Sequence, residues 1–174
     1  MASTARTANR QGFSLLELVV ACAMLAVLLV AVGGVLRTSR QAWEAHEADY
    51  TRLEALHATV RHIVRTVRQA DRVTEISAAS DDSGRLGLLL VDGSTVVWDH
   101  DSATSRVNYG VTTPTDLLAE NIETLKFTAY KADGVTTTTT SYDVQNVLVE
   151  ASVTLPREAG GTKTISSWAW IRSW

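Results

Sequence analysis

The stretch RQGFSLLELVVACAMLAVLLV, Arg10–Val30, decides how the rest of the chain is read. From Phe13 to Leu36 the only ionisable side chains are Glu17 and Cys22, and no proline interrupts the run. A helix rises about 1.5 Å per residue, so these 24 residues reach across a hydrocarbon core of about 30 Å. Glu17 is the anomaly. An unpaired carboxylate in a bilayer costs several kcal/mol unless it lies near the interface, so an acid at this position asks for a function.

The bulk composition hides this split. The chain has 174 residues, enough for one ordinary domain with a modest core, with 45% hydrophobic and 20% charged residues. Beyond Leu36 the sequence is mixed and polar, as a globular domain is. The net charge of -3 argues against a nucleic-acid partner, which calls for a basic face. Residues 1–12 carry Arg6 and Arg10 and no acid, so their removal takes the charge from -3 to -5. Cys22 is the single cysteine, so neither an internal disulfide nor a structural zinc site can form from thiols, and it reads as a small apolar helix residue.

Three readings of the N-terminus compete. A secretory signal peptide has an apolar core of about 7–15 residues without an acid, although Ala31-Val32-Gly33 offers a small-x-small site. A plain signal anchor accommodates the length but leaves Glu17 unexplained. The third starts from Gly12-Phe13-Ser14-Leu15-Leu16-Glu17, which resembles the class III signal of type IV prepilins and pseudopilins. The short basic leader and the flank SLLELVVA fit the same pattern.

That resemblance implies that a membrane aspartic peptidase, the prepilin peptidase, cuts between Gly12 and Phe13 and then methylates the new amine of Phe13. Glu17 becomes the fifth residue of the mature chain. Gly12 has no side chain, which lets the backbone enter a narrow cleft. Glu17 can neutralise the terminal amine of a neighbouring subunit, because opposite charges attract strongly in a low dielectric and either one left unpaired is costly. The simpler alternative is an acid that snorkels to the interface. The implied partners are the prepilin peptidase, other pilins or pseudopilins, an inner-membrane assembly platform and membrane lipid. The implied location is the inner membrane, single-pass, with the N-terminus cytoplasmic and the head periplasmic or extracytoplasmic. Charge alone does not set that orientation, since Arg37 and Arg40 nearly balance Arg6 and Arg10.

The helical pattern continues past the membrane. Residues 37–69 contain no glycine or proline, and Tyr50, Leu53, Leu56, Val60, Ile63, Val64 and Val67 recur at spacings of three and four. One helix from about Ser14 to Ala70 is expected, with Gly33-Gly34 as a soft point, and Ser77–Gly84 as a loop. The period then changes to two. Asp92-Gly93 and Asp133-Gly134 each mark a hairpin. Leu125, Phe127 and Ala129 share one strand face. Val147, Val149, Ala151, Val153 and Leu155 point inward on another strand, with Glu150, Ser152 and Thr154 outward. Asp116–Asn121 is expected as a short helical turn, Val135–Ser141 as an exposed edge or loop, and TKTISSWAWIRSW as the last strand. The fold class is therefore α+β and pilin-like, a long N-terminal helix on an antiparallel β-sheet head. The boundaries are a leader at 1–12, a transmembrane half at 13–36, an amphipathic half at 37–70 and a head at 71–174.

Further segments are similar to J-type minor pseudopilins and related minor pilins, namely LHATVRHIVRTVRQADRV, LLAENIETLKFTAYKADG and VLVEASVTLP in that order. Tip subunits of K type usually lack the fifth-position acid that Glu17 supplies. The resemblance implies a structural subunit that initiates or caps a filament. The alternative is a signal-anchored or secreted β-domain that binds sugar or protein.

Little points to catalysis, and no enzyme, cofactor or metal is expected. His57 and His62 lie five apart, a poor helical spacing for one metal, and Asp99-His100-Asp101 and Asp81-Asp82-Ser83-Gly84 lack a full calcium pattern. No phosphate loop or nucleophile elbow is present. Trp168 and Trp170 share a strand face. Core cover against the helix and a partner surface are the two readings of that pair.

Overall fold

The computed structural model describes residues 14–156 and 161–171. The expected cleavage pair Gly12 and Phe13 lies outside the described residues, as does Trp174. Two compact units divide the chain, Met1–Glu44 and Ala45–Trp174. Helix α1, Leu15–Val67, runs through 53 residues and contributes to both.

In the first unit every described residue is exposed, from Ser14 to Glu44. The helix passes through Gly33 and Gly34 without a break. The first part of α1 is apolar and long enough to cross a membrane, with a mean hydropathy of 2.9 over its most apolar window and none of that window buried. In water such a surface would be strongly unfavourable, so its cover comes from lipid or from other helices.

The second unit holds the core. Leu56, Val60, Ile63, Val64 and Val67 of α1 are buried, as the stripe predicted. Tyr50 departs from it and stays 69% exposed, because the sheets cover only the later turns. The helix stops at Val67 rather than Ala70. Arg68 and Gln69 turn the chain, with Gln69 N–H donating to Thr66 O, and Ala70 opens a strand.

Eight strands follow. β1 (Ala70–Ile76), β2 (Arg85–Leu90), β3 (Thr95–Asp101), β4 (Arg106–Val111) and β5 (Asp116–Glu120) form one antiparallel meander in chain order. β6 (Thr124–Tyr130), β7 (Asn146–Thr154) and β8 (Thr162–Trp170) form a second antiparallel sheet. The head thus contains two sheets where the sequence suggested one. Leu86, Leu88, Val96, Trp98 and Val107 from the first join Leu125, Phe127, Val147, Val149 and Ala151 from the second in one cluster with the helix. This is an α+β, pilin-like architecture.

Three local differences have physical causes. β1 buries Ala70 and Val73 and half-buries Ile76, a spacing of three that looks helical in sequence. Register shifts between Ala70 and Arg72 and between Val73 and Glu75 insert extra residues, so that spacing lies flat against β2. Asp116–Glu120 is a strand rather than a helical turn, because β4 offers it an open edge: Val107 pairs Ala119 and Arg106 pairs Glu120. The Asp133-Gly134 turn forms, with Gly134 at φ +69°, but the returning chain makes a single bridge, Tyr130 to Thr137. The true partner of β6 is β7, reached across residues 131–145.

The two sheets join at Gly84. Its N–H donates to Leu125 O at 2.7 Å, and Leu125 N–H donates to Asp82 O at 3.0 Å. A Cβ on Gly84 would lie 2.5 Å from Leu125 O and 2.8 Å from Phe127 Cδ2, so only glycine fits this approach.

Candidate functional site

The N-terminal segment is the first candidate. Ser14 stands just ahead of α1, and its carbonyl accepts the Leu18 N–H at 3.2 Å. Glu17 therefore falls in the first helical turn, where free backbone N–H groups carry partial positive charge and an acid is favoured. Its side chain is exposed among Leu15, Leu16, Leu18 and Val20, which are 80%, 72%, 60% and 46% exposed. No ion pair among the described residues involves Glu17. The arrangement presents one carboxylate on an otherwise apolar rod. Burying that rod is favourable only if a cation meets the carboxylate.

The second candidate is the pair Trp168 and Trp170. They share a face of β8, as their spacing required, but that face points away from the core: Trp168 is 45% and Trp170 69% exposed, while Ala169 between them is buried. The core-cover reading is therefore corrected. β7 fixes the outcome, because Val147 pairs Ala169 while Leu148 pairs Trp168 and Asn146 pairs Trp170. Val147, Val149, Ala151 and Val153 of β7 and Ala169 of β8 thus turn inward. Tyr130 reaches across the same face, its ring 4.8 Å from that of Trp168. Trp170 borders a shallow groove of about 400 Å³ with Asp133, Gln145 and Asn146.

The polar residues singled out from sequence are occupied in other ways. Asp99 faces Arg85 at 3.7 Å, and Asp101 accepts from Ala103 N–H and Thr104 Oγ1. His100 is buried and its Nε2–H donates to Ile122 O at 2.9 Å. Asp81 accepts from Ser83 N–H, and Asp82 pairs with Lys126 at 2.6 Å. The described residues contain no group of three or more metal-type side chains. His57 is exposed, whereas His62 is half-buried.

Two features escaped the sequence reading. Trp98 is fully buried, and its Nε1–H points at His62 Nδ1 at 3.4 Å, with Tyr109 edge-on to the same imidazole. Burial pushes the His62 pKa down, and the nearby Arg65 guanidinium adds to the shift. Arg52 is half-buried and donates from Nη1 to Thr154 O at 2.6 Å, tying the helix to the end of β7. The hydrophobic pattern carried no sign of either, since both depend on which strand passes over the helix.

Residues 7–33 match the family model of the prokaryotic N-terminal methylation motif. No curated protein matches the chain, and no solved structure does. The motif supports a precursor of the pilin or pseudopilin type, acted on by a prepilin peptidase and assembled with other pilins. It points to a structural subunit, and with the apolar part of α1 it points to a membrane-anchored, single-pass protein.

Proposed function

We propose that this chain is a minor pilin or pseudopilin, a structural subunit of a type IV pilus or a type II secretion pseudopilus. In this reading it is of the J type or a similar minor pilin, and it acts in filament initiation or at the tip. The prepilin peptidase removes residues 1–12 and methylates Phe13. The mature chain then waits in the inner membrane with its head outside the cytoplasm, ready for the assembly platform to draw it into the filament.

One observation carries the reading. The methylation motif leads into an exposed apolar helix whose first turn holds Glu17, the only charged side chain from Phe13 to Leu36. A lone carboxylate in that position is costly in lipid and useful in a filament, where the Phe13 amine of a neighbour can meet it. Trp168 and Trp170, with the half-buried Tyr130 beside them, give the head an exposed aromatic face of the kind that anchors protein interfaces.

Mass spectrometry of the chain from native membranes tests this. The expected N-terminus is a methylated Phe13. An intact leader, or a start near Gly34, would instead mark an ordinary anchor or a cleaved signal, and with it a β-domain of another kind.

A further inference from the structure

The two sheets of the head have four edges, β1 and β5 of the first and β6 and β8 of the second. An edge strand carries a row of unpaired N–H and C=O groups, and proteins guard such rows with charge, bulges, short length or a covering segment. Three of the four edges are guarded in these ways. β1 carries Asp71, Arg72 and Glu75 and two register shifts, and its Thr74 O accepts from Ser141 Oγ at 3.0 Å. β5 has five residues with an acid at each end, and Glu120 pairs with Arg106. The open side of β6 is covered: Asp82 and Gly84 bond to Leu125, and Thr138 N–H donates to Ala129 O at 3.0 Å.

β8 has none of these guards. It runs for nine residues without a register shift or a proline, and Lys163 is its one charge. At its two ends, Leu155 N–H donates to Gly161 O at 2.8 Å and Ile171 N–H donates to Gln145 O at 3.0 Å. Odd positions of β8 therefore turn their backbone groups toward β7. Alternation turns those of Thr162, Thr164, Ser166, Trp168 and Trp170 the other way. All five residues are exposed, and among the described residues no strand pairs with this side.

We infer that this edge takes an extended segment of a different polypeptide as a fourth strand of the second sheet. A row of backbone donors and acceptors repeating along nine residues is matched by another extended backbone, which fixes the kind of partner. Side chains select its composition. On the outer face the added strand meets Thr164 and Ser166 toward one end and the Trp168 and Trp170 rings toward the other. That surface suits uncharged residues, with β-branched or aromatic side chains over the indoles. The choice of a different polypeptide over a second copy rests on the tip reading above, in which one copy stands without a like neighbour.

Photo-cross-linking of the full chain in native membranes tests the added strand. The photoreactive residue p-benzoylphenylalanine replaces Ser166, and mass spectrometry locates the attachment point in the adduct. One adduct is expected, with a different protein and at an uncharged stretch of it. Thr164→Pro removes an N–H from the open side of β8 and none from the side that faces β7. The head should keep its urea midpoint while the adduct falls about tenfold. Amide exchange read residue by residue serves even if that variant loses stability. In the chain purified in detergent, the Thr164, Ser166 and Trp168 amides should exchange faster than those of Ile165 and Ser167. In the purified adduct the first three should slow to match. No adduct, an adduct that survives Thr164→Pro at an unchanged midpoint, or even-numbered amides that stay fast in the adduct would overturn the added strand. A copy-to-copy adduct would overturn the assigned occupant together with the tip placement. The N-terminal mass of the same sample reports separately: a Phe13 start without an adduct sinks the strand alone, and a retained leader sinks the filament reading.

Discussion

At the scale of single residues, Glu17 and His62 show opposite ways of handling a titratable group. Glu17 is exposed on an apolar helix and has no partner among the described ion pairs, which is the arrangement the assembly proposal needs. Glu17→Ala should leave cleavage after Gly12 intact and sharply reduce incorporation into filaments, measured as the ratio of mature chain in sheared filaments to that in membranes. Normal incorporation would remove the pairing argument. His62 is instead enclosed between Trp98 and Tyr109. Its folded pKa lies below the ordinary value of 6.5, so the unfolded chain binds the proton more readily. Its contribution to stability is present above that value and is lost as pH falls below it. Protonation would also set an Nδ1–H against the indole N–H of Trp98. The urea midpoint should therefore drop between pH 7.5 and 5.5, and His62→Gln should flatten that part of the drop.

At the scale of elements, the helix and the strands differ in how much their own sequence says. The stripe Leu53 to Val67 announced the buried face of α1, because a helix fixes which residues share a side without reference to any neighbour. Alternation did the same for β6 and β7, except that Ser152, expected outward, is buried with its hydroxyl 2.6 Å from that of Thr124. The misses lie where a neighbour decides. Ala70, Val73 and Ile76 keep a helical spacing and become a strand because β2 pairs with them through two register shifts. Asp116–Glu120 has no strong pattern of its own and is drawn onto the edge of β4. The seam between the sheets is equally non-local. Gly84→Ala should cost about 1–3 kcal/mol through overpacking against Leu125 and Phe127, read from the denaturant midpoint of the full chain in detergent.

At the scale of the whole molecule, the two units of the chain divide its labour by chemistry. The described segment before Ala45 is exposed throughout and almost wholly apolar as far as Leu36, and the segment after it buries a continuous core. The head's own exposed aromatic face lies on β8, at one edge of the second sheet. Trp170→Ala should change head stability by less than about 0.5 kcal/mol, since the side chain is mostly exposed, yet the Trp168→Ala, Trp170→Ala double variant should reduce co-purification with partner subunits. Equal co-purification would assign the two rings to no interface.

By itself the sequence determined the methylation motif at residues 7–33, the apolar helix with Glu17 at its start, the buried stripe of that helix and the alternating faces of β6 and β7. Those features follow from local composition and from the periods of 3.6 and 2, which a chain carries before it folds. Only the tertiary structure decided which way Trp168 and Trp170 face. Their spacing put them on one side of a strand, but the pairing of Val147 with Ala169 chose the outer side. It likewise turned Ala70–Ile76 into a strand, split the head into two sheets and enclosed His62 beneath Trp98. Each of these outcomes depends on registers between distant segments, and a register is a property of two strands together.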